Sequence, residues 1–168
     1  MLIEDYVCGM QVNEGENQIM YRGGAYSFCS MQCRERFQAN PHLYVGLPGQ
    51  KAPKQEGRSV IKQRRLRLAQ PLSSGQEKML VDALQTMMGI QAVSAEGERV
   101  AITYDLLQAT EEQIENKLAE IGIQLGEGFA DRLRRAFVHY EEECEAGNLE
   151  VHADDIEPLY EAFRRDER

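Results

Sequence analysis

Residues 80–123 read LVDALQTMMGIQAVSAEGERVAITYDLLQATEEQIENKLAEIGI, and the hydrophobic period changes repeatedly along them. Met79, Leu80, Ala83, Leu84, Met87 and Met88 recur at the spacing of a buried helical stripe, with Ser73 or Ser74 able to cap it and Gly89 to end it. Two β-prone runs follow, Ile90–Ser94 and Val100–Tyr104, joined by a turn at Glu96-Gly97-Glu98. In the second run Val100, Ile102 and Tyr104 share one face with period two. Thr110, with Gln113 three residues on, forms the capping box of a second helix, whose stripe is Ile114, Leu118 and Ile121 and whose stop is Gly122.

Working outward, Val60–Leu68 predicts a strand with Val60, Leu66 and Leu68 on one face, although Lys62 and Arg64 fall on that face too. Ile123–Leu125 is a short run able to close the sheet. The order is βαββαβ, the ferredoxin-like arrangement of two helices on a four-stranded antiparallel sheet, placed over residues 58–127. Residues 128–168 turn helical. Phe129, Leu133, Phe137 and Tyr140 mark a helix of about 128–145, and Ile156, Leu159, Tyr160 and Phe163 mark one more.

Residues 46–57, GLPGQKAPKQEG, have a linker composition and set apart a small module over residues 1–45. It holds two β-prone runs, Tyr6–Val12 and Gln18–Phe28, the second turned at Gly23-Gly24. Ser30 then caps a helix that must stop before Asn40-Pro41. So small a module needs a staple such as a metal or a disulfide. The whole chain is therefore α+β: a metal-stapled hairpin and helix, a ferredoxin-like domain and C-terminal helices.

The chain has 168 residues, 42% hydrophobic and 28% charged, with a net charge of −9. This composition argues against disorder and against nucleic acid as the main partner. No apolar run is long enough to span a membrane, and the acidic start lacks the basic region of a signal peptide, so a soluble cytoplasmic protein is expected. Walker A, G-x-G-x-x-G, G-x-S-x-G and H-E-x-x-H motifs are all missing, which points away from an enzyme.

Three of the four cysteines, Cys8, Cys29 and Cys33, fall in the first 33 residues, and a reducing compartment makes them metal ligands sooner than disulfides. Cys29 just before a helix and Cys33 in its first turn can converge on one point, and the helix end should favour their thiolates. A trigonal thiolate site suits Cu(I). Tetrahedral Zn(II) needs a fourth donor, for which His42, Cys144, water or a partner's side chain are the candidates. Met10, Met20 and Met31 are soft neighbours in sequence, with ordinary packing as the plainer role.

The segments DYVCGMQV, YRGGAYSFCSMQC and FQANPHLYV together resemble the YHS domain, a TRASH-related module, over about residues 4–45. The resemblance implies heavy-metal binding by Cys8, Cys29 and Cys33, and partners in metal transport or delivery such as copper-handling proteins, metal sensors and metal-pumping ATPases. Residues 80–123 look like a heavy-metal-associated domain, whose Cys-x-x-Cys positions fall here on Ser73 and Gln76. Neither is a soft ligand, so that loop is expected to be dead.

Two further features carry expectations. Cys144, His139 and His152 are candidates for a second metal site, set against an acidic solvated helix end with incidental donors. Residues 51–70 carry seven basic side chains and one acidic, centred on RSVIKQRRLR. A nucleic-acid strip would suit a metal-responsive regulator, but the run lacks interleaved aromatics. The preferred reading is a solvated or edge strand protected by charge, with pairing to the acids of 111–120 and 141–145, within the chain or in a homo-oligomer, as a third. The functional expectation is soft-metal handling, with a structural-zinc interaction scaffold and a metal-responsive transcriptional regulator as alternatives.

Overall fold

The computed structural model describes residues 1–151, so the expected helix around Ile156–Phe163 and His152 lie outside the described residues. Two short antiparallel hairpins open the chain. The first pairs β1 (Leu2–Glu4) with β2 (Gln11–Asn13), and the second pairs β3 (Ile19–Tyr21) with β4 (Gly24–Tyr26). Most of the expected Tyr6–Val12 strand is thus the connection inside a hairpin, because residues 5–9 fold into a turn closed by Gly9 N–H donating to Asp5 O at 2.8 Å. The second turn falls on Arg22-Gly23, one residue earlier than expected. Both have positive φ, 47° and 80°, as a two-residue turn matched to strand twist requires.

Helix α1 (Met31–Ala39) starts at Ser30, whose side chain accepts from Cys33 N–H, and ends before Pro41. A 3-10 turn, Pro41–Leu43, follows. Residues 46–57 are packed against the module: Ala52 is buried, and Lys54 N–H donates to Leu43 O at 2.9 Å. Gly46 is required there, since a Cβ would meet Gln50 O at 2.3 Å.

The body consists of β5 (Ile61–Arg67), α2 (Ser74–Gln85), β6 (Ile90–Glu96), β7 (Arg99–Asp105), α3 (Glu111–Glu120) and α4 (Phe129–Leu149). The antiparallel sheet has the order β5-β7-β6. The expected closing strand at Ile123–Leu125 contributes a single bridge, Leu125 to Leu68, between Gly122 and Gly126. Val100, Ile102 and Tyr104 pack with Leu66, Leu80, Leu84, Ile114 and Leu118, so α2 and α3 cover one sheet face. Ser73 and Gln76 form a reciprocal capping box at the start of α2, and Thr110 and Gln113 do so for α3.

Helix α4 forms where its apolar period predicts, but that stripe does not face the core. Phe129, Leu133, Phe137 and Tyr140 are exposed, while Val138, Glu142 and Ala146 are buried. The cause lies on β5, where Lys62 and Arg64 sit on the core-facing side and are met by Glu145 and by Glu141 and Glu142. Lys62 and Arg64 are therefore largely covered, although β5 does lie at the edge of the sheet as expected. They tie β5 to α4 inside the chain, while Arg65 and Arg67 remain exposed on the open face. Among the described residues, no helix is long and apolar enough to cross a membrane.

A second core joins module and body. Val7, Phe28, Cys33, Phe37, Leu43 and Tyr44 pack with Leu107 and Ala146. Arg36 Nε donates to Leu106 O at 2.9 Å, and the Tyr44 hydroxyl donates to Leu107 O. The Gln32 side chain donates to Met88 O and Gln108 O and accepts from Met88 N–H.

Candidate metal centre

The turn after β1, the end of the second hairpin and the first turn of α1 meet at one point. Cys8 Sγ lies 3.5 Å from Cys29 Sγ, and Cys29 Sγ lies 3.6 Å from Cys33 Sγ. Asp5 completes the group: one ligand atom from each of Asp5, Cys8, Cys29 and Cys33 lies within 4.8 Å of all the others. Two metal–sulfur bonds of ~2.3 Å subtend ~3.8 Å between sulfurs at a tetrahedral metal and ~4.0 Å at a trigonal one. The sulfurs are within a few tenths of an ångström of that spacing, so the donor set fits a metal ion.

Asp5 is buried and organises the site. Its Oδ1 accepts from Val7 N–H at 2.8 Å and Cys8 N–H at 3.3 Å, and its Oδ2 accepts from Cys29 N–H at 2.8 Å. One carboxylate thereby fixes the backbone that carries two of the thiols. Its signal in the sequence was Asp two residues before a buried Val and three before Cys, the spacing at which an aspartate caps its own turn.

Residues 3–47 match the YHS domain. No curated protein and no solved structure matches the chain. The YHS segment spans the two hairpins, α1 and the 3-10 turn, and so contains every member of the cluster.

The thiols of the YHS segment differ in acidity. Hydrogen bonding with Cys33 lowers Cys8 below the ordinary thiol range. Cys33 is pushed up by that same hydrogen bond and then by burial, and burial pushes Cys29 up to about 12. The helix-end effect expected for Cys29 and Cys33 is outweighed by desolvation and by neighbouring negative groups. Cys8 is thus the most acidic of the three thiols, and a bound cation would displace the protons held on Cys29 and Cys33. Cys33 is buried, whereas Cys8 and Cys29 are partly exposed, so the cluster opens on their side.

The other expected donors lie elsewhere. His42 Nδ1–H donates to Val45 O at 3.0 Å, and Tyr21 Oη sits 2.9 Å from its Nε2, so both ring nitrogens are engaged. Cys144 is exposed on α4, and His139 Nε2 lies 2.8 Å from Glu115 Oε1. The third member expected with them, His152, lies outside the described residues, and the Asp5 cluster is the metal-type grouping found among those described. Met10, Met20 and Met31 are each about half exposed or more, which removes core packing as their role.

Proposed function

We propose that the protein binds one soft transition-metal ion, Cu(I) first and Zn(II) second, through Cys8, Cys29 and Cys33 in cytoplasmic metal handling. Convergence of three sulfurs at 3.5–3.6 Å with two of them partly exposed is the observation that carries this reading. Thiolates favour Cu(I), and an undercoordinated site open on one side permits exchange. A partner's thiolate would enter from the Cys8 and Cys29 side before a host thiolate leaves. The partner would be a metal-transport or metal-delivery protein, and the chain itself a carrier with no catalytic step.

On this reading the body is a scaffold. Its element order supports a ferredoxin-like fold whose last strand has shrunk to one bridge, with the heavy-metal-associated loop replaced by the Ser73–Gln76 capping box.

The buried Asp5 carboxylate supports a second reading, a closed Cys3Asp zinc site that only holds the module together. Competition titration separates the two. Metal-free protein offered Cu(I) or Zn(II) against a chelator should take up one equivalent, and lose it in Cys29→Ser. Passage of bound Cu(I) to a small dithiol within seconds supports the carrier, whereas Zn(II) retained for hours supports the closed site.

A further inference from the structure

Helix α4 presents Phe129, Leu133, Phe137 and Tyr140 along one outward face, with 77%, 58%, 64% and 65% exposure, and Cys144 continues the same line. Isolated exposed apolar residues are ordinary, but a contiguous stripe of large ones marks a contact surface. At roughly 200 Å² per large side chain they offer on the order of 500 Å² per copy. Two copies would then bury on the order of 1,000 Å², the lower bound of a specific interface.

Charge identifies the occupant. At 100° per residue, Arg134 and Glu141 flank the stripe on one side, and Arg132 and Glu143 flank it on the other. The basic member lies in the N-terminal half each time and the acidic member in the C-terminal half. Arg132, Arg134 and Glu143 have no ion-pair partner among the described residues, and Glu141 is already shared with Arg64 at 3.3 Å. The pairs Arg132/Glu143, Arg134/Glu141, Leu133/Tyr140 and Phe129/Cys144 are all centred within one residue of Phe137.

That is the self-complementarity of a two-fold antiparallel helix pair. We propose that the chain forms a homodimer through α4, antiparallel, with Phe137 of each copy at the axis. Leu133 packs on the partner copy's Tyr140 and Phe129 on its Cys144, while Arg132 and Arg134 face Glu143 and Glu141 across the pair. A parallel pair would set Arg against Arg and Glu against Glu, which is unfavourable. The metal cluster takes no part in this face, so the inference stands apart from the metal-handling reading.

The test is the mass of the full chain by sedimentation at tens of micromolar. Wild type should run at twice the 19.1 kDa chain mass, and Phe137→Glu as a monomer with an unchanged circular dichroism spectrum. Arg132→Glu and Glu143→Arg should each weaken association by about tenfold, and an equimolar mixture should recover it, because only an antiparallel pair sets residue 132 against residue 143. A monomeric wild type, or a dimer indifferent to both kinds of substitution, would overturn the proposal. So would a monomer that dimerises only after removal of residues 152–168, since the stripe would then be covered by the chain's own end.

Discussion

Asp5 and Cys29 are 24 residues apart, and the Cys29 N–H donates to Asp5 Oδ2 at 2.8 Å. The other oxygen of the same carboxylate holds Val7 N–H and Cys8 N–H. The spacing between Cys8 and Cys29 is therefore set by the buried Asp5 side chain before any metal arrives. Asp5→Ala leaves three N–H groups without their acceptor, and loss of charged hydrogen bonds of this kind costs ~3 kcal/mol. Urea denaturation of the metal-free protein should show that loss, and metal affinity should fall with it. An unchanged midpoint would remove Asp5 from the role given to it.

The protons held on the raised thiols make metal uptake pH-dependent. Cys8 is lowered, whereas Cys29 is raised to about 12 and Cys33 is raised as well, so near neutral pH the metal-free cluster keeps protons on Cys29 and Cys33. Binding through three thiolates must release them, so affinity rises with pH, with at least two protons released per metal. Isothermal titration in buffers of different ionisation enthalpy counts the protons directly. A release of none would show that a cation does not recruit Cys29 and Cys33.

Gln32 couples the cluster to the body, because it precedes Cys33 and its side chain bonds Met88 and Gln108. Gln32→Ala should cost about 1–3 kcal/mol in global stability. Hydrogen exchange at Met88 N–H should also speed up. A loss confined to the first 45 residues, with the body unaffected, would mean that the two parts do not unfold together.

A second buried cluster lies under α4. Glu142 accepts from the Tyr104 hydroxyl and from Glu111 N–H, and the Glu111 carboxyl beside it is pushed up to about 7, first by burial and then by the charges of Glu115 and Glu142. A carboxyl that holds its proton more tightly folded than unfolded supports the fold fully below the ordinary carboxylate range. That support is lost as pH rises through about 7. Glu111→Gln should therefore flatten stability between pH 5 and 8 and raise it at pH 8 by about 1–3 kcal/mol. Melting curves across that range check it, and an unaltered slope would contradict it.

Much of this arrangement was legible in the residues, for reasons that differ by element. Ser73 with Gln76 and Thr110 with Gln113 are local capping chemistry, so α2 and α3 could be read directly. The alternation of Val100, Ile102 and Tyr104 fixed the buried side of β7 because its neighbours on both sides of the sheet are present. Helix α4 shows the limit. Its apolar period gave the helix but not the direction in which the stripe points, which depends on Lys62 and Arg64 lying about 80 residues earlier on β5. The thiols were readable from their spacing, whereas Asp5 was not singled out because its role appears only once the turn at Val7 and the start of α1 are adjacent. His42 looked available as a ligand because sequence does not show that Tyr21 and Val45 occupy its ring nitrogens.

The most direct measurement is metal content with X-ray absorption at the metal edge, on full-length protein purified under reducing conditions and offered Cu(I) or Zn(II). The expected result is about one metal per chain in a shell of three sulfurs, lost in Cys8→Ser, Cys29→Ser and Cys33→Ser alike. Folded protein that takes up neither metal would contradict metal binding by this cluster.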